Sequence, residues 1–124
     1  MSFGQCTGAE SVTLTPAPPA GGYTPGTIVT VCYTMNGYTM VSSNWCEGFA
    51  ISLGTGWVNL TPISAPVTCG GSGGTWIWEN SVTSSSSGLT AGPGYFFDLN
   101  NNGNSGDDFG DVGSCSWTCC FGVT

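Results

Sequence analysis

Hydrophobic and polar residues alternate in short runs along this chain, and glycine, proline or asparagine breaks each run. Thr27 to Met35 is the clearest case, with Val29, Val31, Tyr33 and Met35 on one face and Ile28, Thr30, Cys32 and Thr34 on the other. A period of two marks a strand half buried in a sheet. Ser11 to Thr15 alternates in the same way until Pro16-Ala17-Pro18-Pro19-Ala20-Gly21-Gly22 interrupts it. Asn36-Gly37 predicts a tight turn. Trp45, Glu47, Phe49, Ile51 and Leu53 then alternate with Cys46, Gly48, Ala50 and Ser52, up to Gly54-Thr55-Gly56. Trp57 to Leu60, Thr75 to Glu79 and Tyr95 to Asp98 read as further strands. In the last run, Trp117, Cys119, Phe121 and Val123 alternate with Thr118, Cys120, Gly122 and Thr124. The expectation is an all-β, immunoglobulin-like β-sandwich of about seven to eight short strands, stabilised by disulfides.

Composition supports that class. The 124 residues suit one domain over 1–124, with residues 1–9 as an N-terminal arm or inter-unit linker. Gly numbers 21 and good helix formers are scarce. No apolar run approaches the roughly 20 residues of a membrane helix, so membrane insertion is not expected. Met1 to Cys6 has neither the basic start nor the apolar block of a signal peptide, which suggests a mature or excised piece.

Charge narrows the function. The chain has no Lys, Arg or His and seven acidic residues, for a net charge of -7. Binding nucleic acid requires cations that neutralise phosphates, and none are present. Anionic lipid surfaces are excluded for the same reason. With no imidazole to move protons near neutral pH and no side-chain amine to form a Schiff base, an enzyme is not expected.

Seven cysteines fall at positions 6, 32, 46, 69, 115, 119 and 120. Their spacing is not that of a zinc site, and no His could complete one. Disulfides in an oxidising compartment fit better. An odd count leaves at least one cysteine free or paired with another chain, and Cys6, far from the rest, is the inter-unit candidate. Cys119 and Cys120 point to opposite faces of the last strand and need different partners. Strand logic suggests Cys32–Cys120, Cys46–Cys119 and Cys69–Cys115, among the many pairings that six cysteines admit.

Three other groups of residues could carry chemistry. Asp98, Asn100 and Asn102 with Gly103 follow the opening of a calcium loop, in which alternate side chains wrap one ion and glycine makes the sharp turn. Phe109 stands where the closing acid would fall, so Asp107, Asp108 or Asp111 would have to substitute. Ca2+ is therefore the one candidate cofactor, and a solvated Asx/Gly loop is the alternative. Aromatic side chains could stack on surface glycans. Trp45, Trp76, Trp78 and Trp117 are expected in the core, whereas Trp57, Tyr38 and Tyr95 are better placed for exposure. Glu47 and Glu79 could in principle form a glycosidase pair, but nothing in the sequence brings them together.

The order of several runs resembles a known family. Tyr23-Thr24-Pro25-Gly26-Thr27-Ile28-Val29-Thr30-Val31-Cys32-Tyr33-Thr34, Asn44-Trp45 and Leu53-Gly54-Thr55-Gly56-Trp57 look like repeat units of the giant gliding-motility adhesins of Bacteroidetes, which leave the cell by type IX secretion. Gly73 to Trp78, Gly92 to Asp98, Asn102 to Asp111 and Cys115 to Phe121 are similar to the same repeats. The resemblance implies a β-sandwich strung in tandem at the cell surface, without catalytic residues. The chain departs from the family at Cys46 and Cys119, where bulky apolar residues are expected, and in lacking all basic residues. The expected function is a structural or adhesive module of an extracellular filament or large repeat adhesin. Its partners would be like subunits or neighbouring repeats and possible surface glycans. The alternative is a secreted carbohydrate-binding module.

Overall fold

The computed structural model describes residues 9–40, 42, 45–69 and 73–124. Among them, β1 spans Glu10–Thr15, β2 Val29–Met35, β3 Gly48–Ala50, β4 Thr61–Ser64 and β5 Thr75–Glu79. A two-residue hairpin, β6 (Val82–Thr83) and β7 (Thr90–Ala91), precedes β8 (Gly94–Asp98) and β9 (Trp117–Val123). The only helical element among the described residues is a single 3-10 turn at Ser105–Asp107. One sheet has the order β1-β2-β9-β4 and the other β3-β8-β5, and all their pairings are antiparallel. The chain is all-β, and the two sheets pack as a small sandwich.

The alternation that defines β2 sets the core. Val29 and Met35 are buried, and Val31 and Tyr33 pack against the buried clusters from the same face. One cluster joins Met35, Trp117 and Cys119 of the larger sheet to Trp76, Tyr95 and Phe97 of the smaller. A second gathers Leu14, Tyr23, Ile51, Leu53 and Trp57 around Val29, Phe121 and Val123. Full burial of a side chain of this size contributes about 1.5–3 kcal/mol, so these clusters hold the two sheets together.

Several expectations need correction. The run from Trp45 to Leu53 pairs only over β3, while Cys46 makes an isolated bridge to Asp111. Trp57 to Leu60 is not a strand: Asn59 takes a positive φ of 56°, and pairing starts at Thr61. Pro62 lies inside β4, which is possible because β4 is an edge strand and shifts register between Pro62 and Ser64. Ala9 is not free linker, since its carbonyl accepts from the Asn36 N–H at 3.0 Å.

Candidate functional site

The acidic loop begins where β8 ends. Asp98 is almost fully buried, and its two carboxylate oxygens accept from the backbone N–H groups of Asn102 (3.1 Å) and Gly103 (2.7 Å). The Asn102 amide donates to Asp107 at 3.2 Å, and Asn102 Oδ1 accepts from the Asn104 N–H at 2.8 Å. Asn100 gives both its backbone N–H and its side-chain amide to Asp108. The Asn101 amide donates to the Gly73 carbonyl at 2.8 Å, and the backbone N–H and hydroxyl of Ser105 both donate to Glu79. These carboxylates are occupied by N–H and O–H donors from the loop itself, which is the pattern of a folded Asx loop. Calcium instead needs several oxygens aimed at one point. Among the described residues no group of three or more acidic, thiol or imidazole side chains is placed to hold a metal ion. Of the proposed ligand set, Asp98, Asn100, Asn102, Asp107 and Asp108 are thus engaged in hydrogen bonds within the loop, and Asp111 is turned into the core.

Asp111 departs furthest from that set. It is 0% exposed, and one carboxylate oxygen accepts from the Trp76 indole N–H (3.1 Å), the Trp117 indole N–H (3.0 Å) and the Cys69 backbone N–H (2.7 Å). Trp76 belongs to β5 and Trp117 to β9, so one buried carboxylate ties the two sheets together. Gly110 makes this possible, because a Cβ there would lie 2.5 Å from the Cys46 carbonyl carbon. The approach brings the Asp111 N–H to the Cys46 carbonyl at 2.8 Å. Nothing in the sequence distinguished Asp111 from its acidic neighbours; the separation by Phe109-Gly110 and the distant tryptophans acquire meaning only in the fold.

The cysteines divide into two kinds. Cys32 and Cys120 are directly opposite each other in β2 and β9 and are bridged, with Cα atoms 4.1 Å apart. Cys69 and Cys115 form a second bridge beside the Cys69–Asp111 contact. Cys46 and Cys119, expected to pair, are buried free thiols. Both belong to the cluster shared by the two sheets, Cys46 from the segment leading into β3 and Cys119 from β9. In backbone register Cys46 faces Asp111 and Cys119 faces Tyr33, so no strand pairing sets the two thiols opposite each other. Burial pushes the Cys46 thiol up to about 12, with the Asp111 charge adding to the shift, and burial pushes Cys119 up to about 11. Cys6 lies outside the described residues.

The aromatic side chains also redistribute. Tyr38 and Tyr95, expected to be exposed, are buried. Tyr38 packs on Trp117, and the Tyr95 hydroxyl donates to the Cys120 carbonyl at 2.8 Å and accepts from the Ile63 N–H at 2.9 Å. Trp76 and Trp117 are core residues, whereas Trp78 and Trp45 are half-buried, with Trp45 set against the exposed Phe109. Trp57 is half-buried and opens onto a surface recess of about 520 Å³ that it shares with Tyr23. Glu79 is held by Ser105, and Glu47 is exposed on the chain just before β3. Fold and site together define a disulfide-stapled β-sandwich with two of its carboxylates, Asp98 and Asp111, buried. No family model, curated protein or solved structure matches the chain.

Proposed function

We propose that the chain is a structural and adhesive module of an extracellular surface filament or large repeat adhesin, self-associating or strung in tandem. Its partners are like units, and its location is the cell surface, as the resemblance to gliding-motality adhesins exported by type IX secretion implies. The observation that carries this reading is the path of the chain through the larger sheet. Glu10 is opposite Met35, and Met35 is opposite Trp117, so the chain enters the sheet at that end. It leaves at Val123, opposite Val29, at the far end of the 7-residue strand β9. At about 3.3 Å per residue the entry and exit points are roughly 20 Å apart along the strands. Tension applied between them loads β1 against β2 in shear, so that the hydrogen bonds resist together. The Cys32–Cys120 bridge then blocks sliding of β2 on β9.

The two disulfides suit an oxidising exterior. Immunogold labelling of the native source, with non-reducing electrophoresis of the same material, tests the reading. Labelled surface filaments, and a ladder of covalent multimers that Cys6→Ser removes, are expected for units joined through Cys6; labelled filaments of one very long chain are expected for tandem repeats. Chain found in the cytosol with Cys32 and Cys120 reduced would overturn the proposal.

A further inference from the structure

Tyr23 and Trp57, which pack against the second core cluster, also line a surface recess. The two rings meet edge to face, with centroids 5.8 Å apart and planes at 71°. The Tyr23 hydroxyl donates to the Pro16 carbonyl at 2.6 Å, which fixes that ring. Trp57 is held by its backbone N–H to the Gly54 carbonyl at 3.4 Å, and the neighbouring Val58 exchanges two backbone hydrogen bonds with Thr124, at 3.0 and 2.9 Å. On the other wall, the Thr24–Thr27 turn is closed by the Thr27 hydroxyl donating to the Thr24 carbonyl at 2.7 Å. The two hydroxyls there lie 3.1 Å apart. No charged side chain lines the recess.

The indoles of this chain differ in what they do with their N–H groups. Trp76 and Trp117 donate to Asp111, and Trp78 donates to Asn80. The indole N–H groups of Trp57 and Trp45 make no hydrogen bond to protein among the described residues, and of these two only Trp57 lines the recess. An aromatic face with an available N–H, beside threonine hydroxyls fixed by turns, combines apolar stacking with directional donors and acceptors. A pyranose ring asks for that combination, since it presents an apolar C–H face and a rim of hydroxyls. A net charge of -7 with no cationic side chain excludes strong binding of anionic sugars.

We propose that the Tyr23–Trp57 recess binds a neutral saccharide, with the pyranose stacked on Trp57 and its hydroxyls met by Thr24, Thr27 and the indole N–H. This deepens the adhesive reading above by giving the module a ligand class, and it rests on that reading for its biological role. The turns at both walls are closed before ligand arrives, so little ordering cost falls on binding.

The test uses the isolated domain and a panel of neutral hexasaccharides built from glucose, xylose and N-acetylglucosamine, with oligogalacturonate as the anionic control. In two-dimensional ¹⁵N NMR of the unaltered protein, at least one neutral member is expected to shift the Trp57 indole N–H resonance while those of Trp76 and Trp117 stay in place. Trp57→Ala is expected to weaken that binding by at least about tenfold in calorimetry, and Tyr23→Ala to weaken it as well. Because Trp57 also packs on the second core cluster, the NMR readout on the unaltered chain stands whether or not the variants fold. The proposal is overturned if no neutral saccharide moves the Trp57 resonance at about 10 mM, or if folded Trp57→Ala binds like the parent. Surface labelling of native material is a separate measurement, so the filament reading and the saccharide site can each fail alone.

Discussion

Asp111 is the residue on which most of the interior depends. Its carboxylate satisfies two indole N–H groups and one backbone N–H in a site with no exposure to water. Hydrogen bonds to a charged group are worth about 1.5–3 kcal/mol each, and a buried donor left unpaired costs about 1–3 kcal/mol. Asp111→Ala is therefore expected to lose at least about 3 kcal/mol in urea unfolding, or not to fold. Asp111→Asn, which keeps an acceptor oxygen, should lose less. Equal losses for the two would show that the indole bonds do not carry the effect. The buried thiols make a second residue-scale prediction. Cys46 and Cys119 are pushed up in the folded chain to about 12 and about 11. The folded state thus holds these protons after the unfolded state, with thiols near 8.5, has released them. Their contribution to stability is fully present below about pH 8.5 and falls as pH rises toward 11–12. Denaturant midpoints should decline over that alkaline window, and Cys46→Ala/Cys119→Ala should flatten the decline. Both thiols should also react slowly with a thiol reagent at neutral pH until the protein is unfolded.

At the scale of elements, the staple between β2 and β9 and the approach of Gly110 to Cys46 are the points of greatest leverage. Cys32–Cys120 closes a loop with a sequence separation of 88. A loop of that length is worth about 4–5 kcal/mol by the chain-entropy argument. Replacing both cysteines with alanine should lower unfolding free energy by about that amount, read by urea titration against the parent chain. Gly110→Ala would put a methyl group 2.5 Å from the Cys46 carbonyl carbon. It should therefore destabilise the protein by prying open the backbone bridge between Cys46 and Asp111. The strands themselves were largely legible. The alternations at Ser11–Thr15, Thr27–Met35, Thr75–Glu79, Tyr95–Asp98 and the final run all became paired strands. In β2 and β9 the alternation follows the core, whereas β1 is mostly exposed and β8 is buried throughout. β4 was hidden by Pro62, and β6 and β7 are too short to show a period. The site was less legible because its chemistry depends on distant pairs. The cross-strand Cys32–Cys120 pair follows from local register, whereas Cys46 and Cys119 share no strand pairing. The role of Asp111 depends on tryptophans at positions 76 and 117, far from or beyond the run of acids that surrounds it.

At the scale of the whole molecule, seven carboxylates and no cationic side chain leave no side-chain ion pair for salt to screen. Added sodium chloride can only weaken mutual repulsion among the acids. The melting temperature should rise or stay level with salt, and a fall would contradict this electrostatic picture. Attraction must then come from apolar burial, internal hydrogen bonds and sulfur, and the chain path shows where sulfur matters most. The central claim is that the sandwich carries tension end to end along its larger sheet, with Cys32–Cys120 as the clamp. The direct measurement is single-molecule stretching of a tandem polyprotein through its ends, before and after adding reductant. Reduction is expected to lengthen each unfolding step by on the order of 300 Å, the extended span of the chain released between Cys32 and Cys120. It should also lower the unfolding force. Equal step lengths and forces in both conditions would contradict the account.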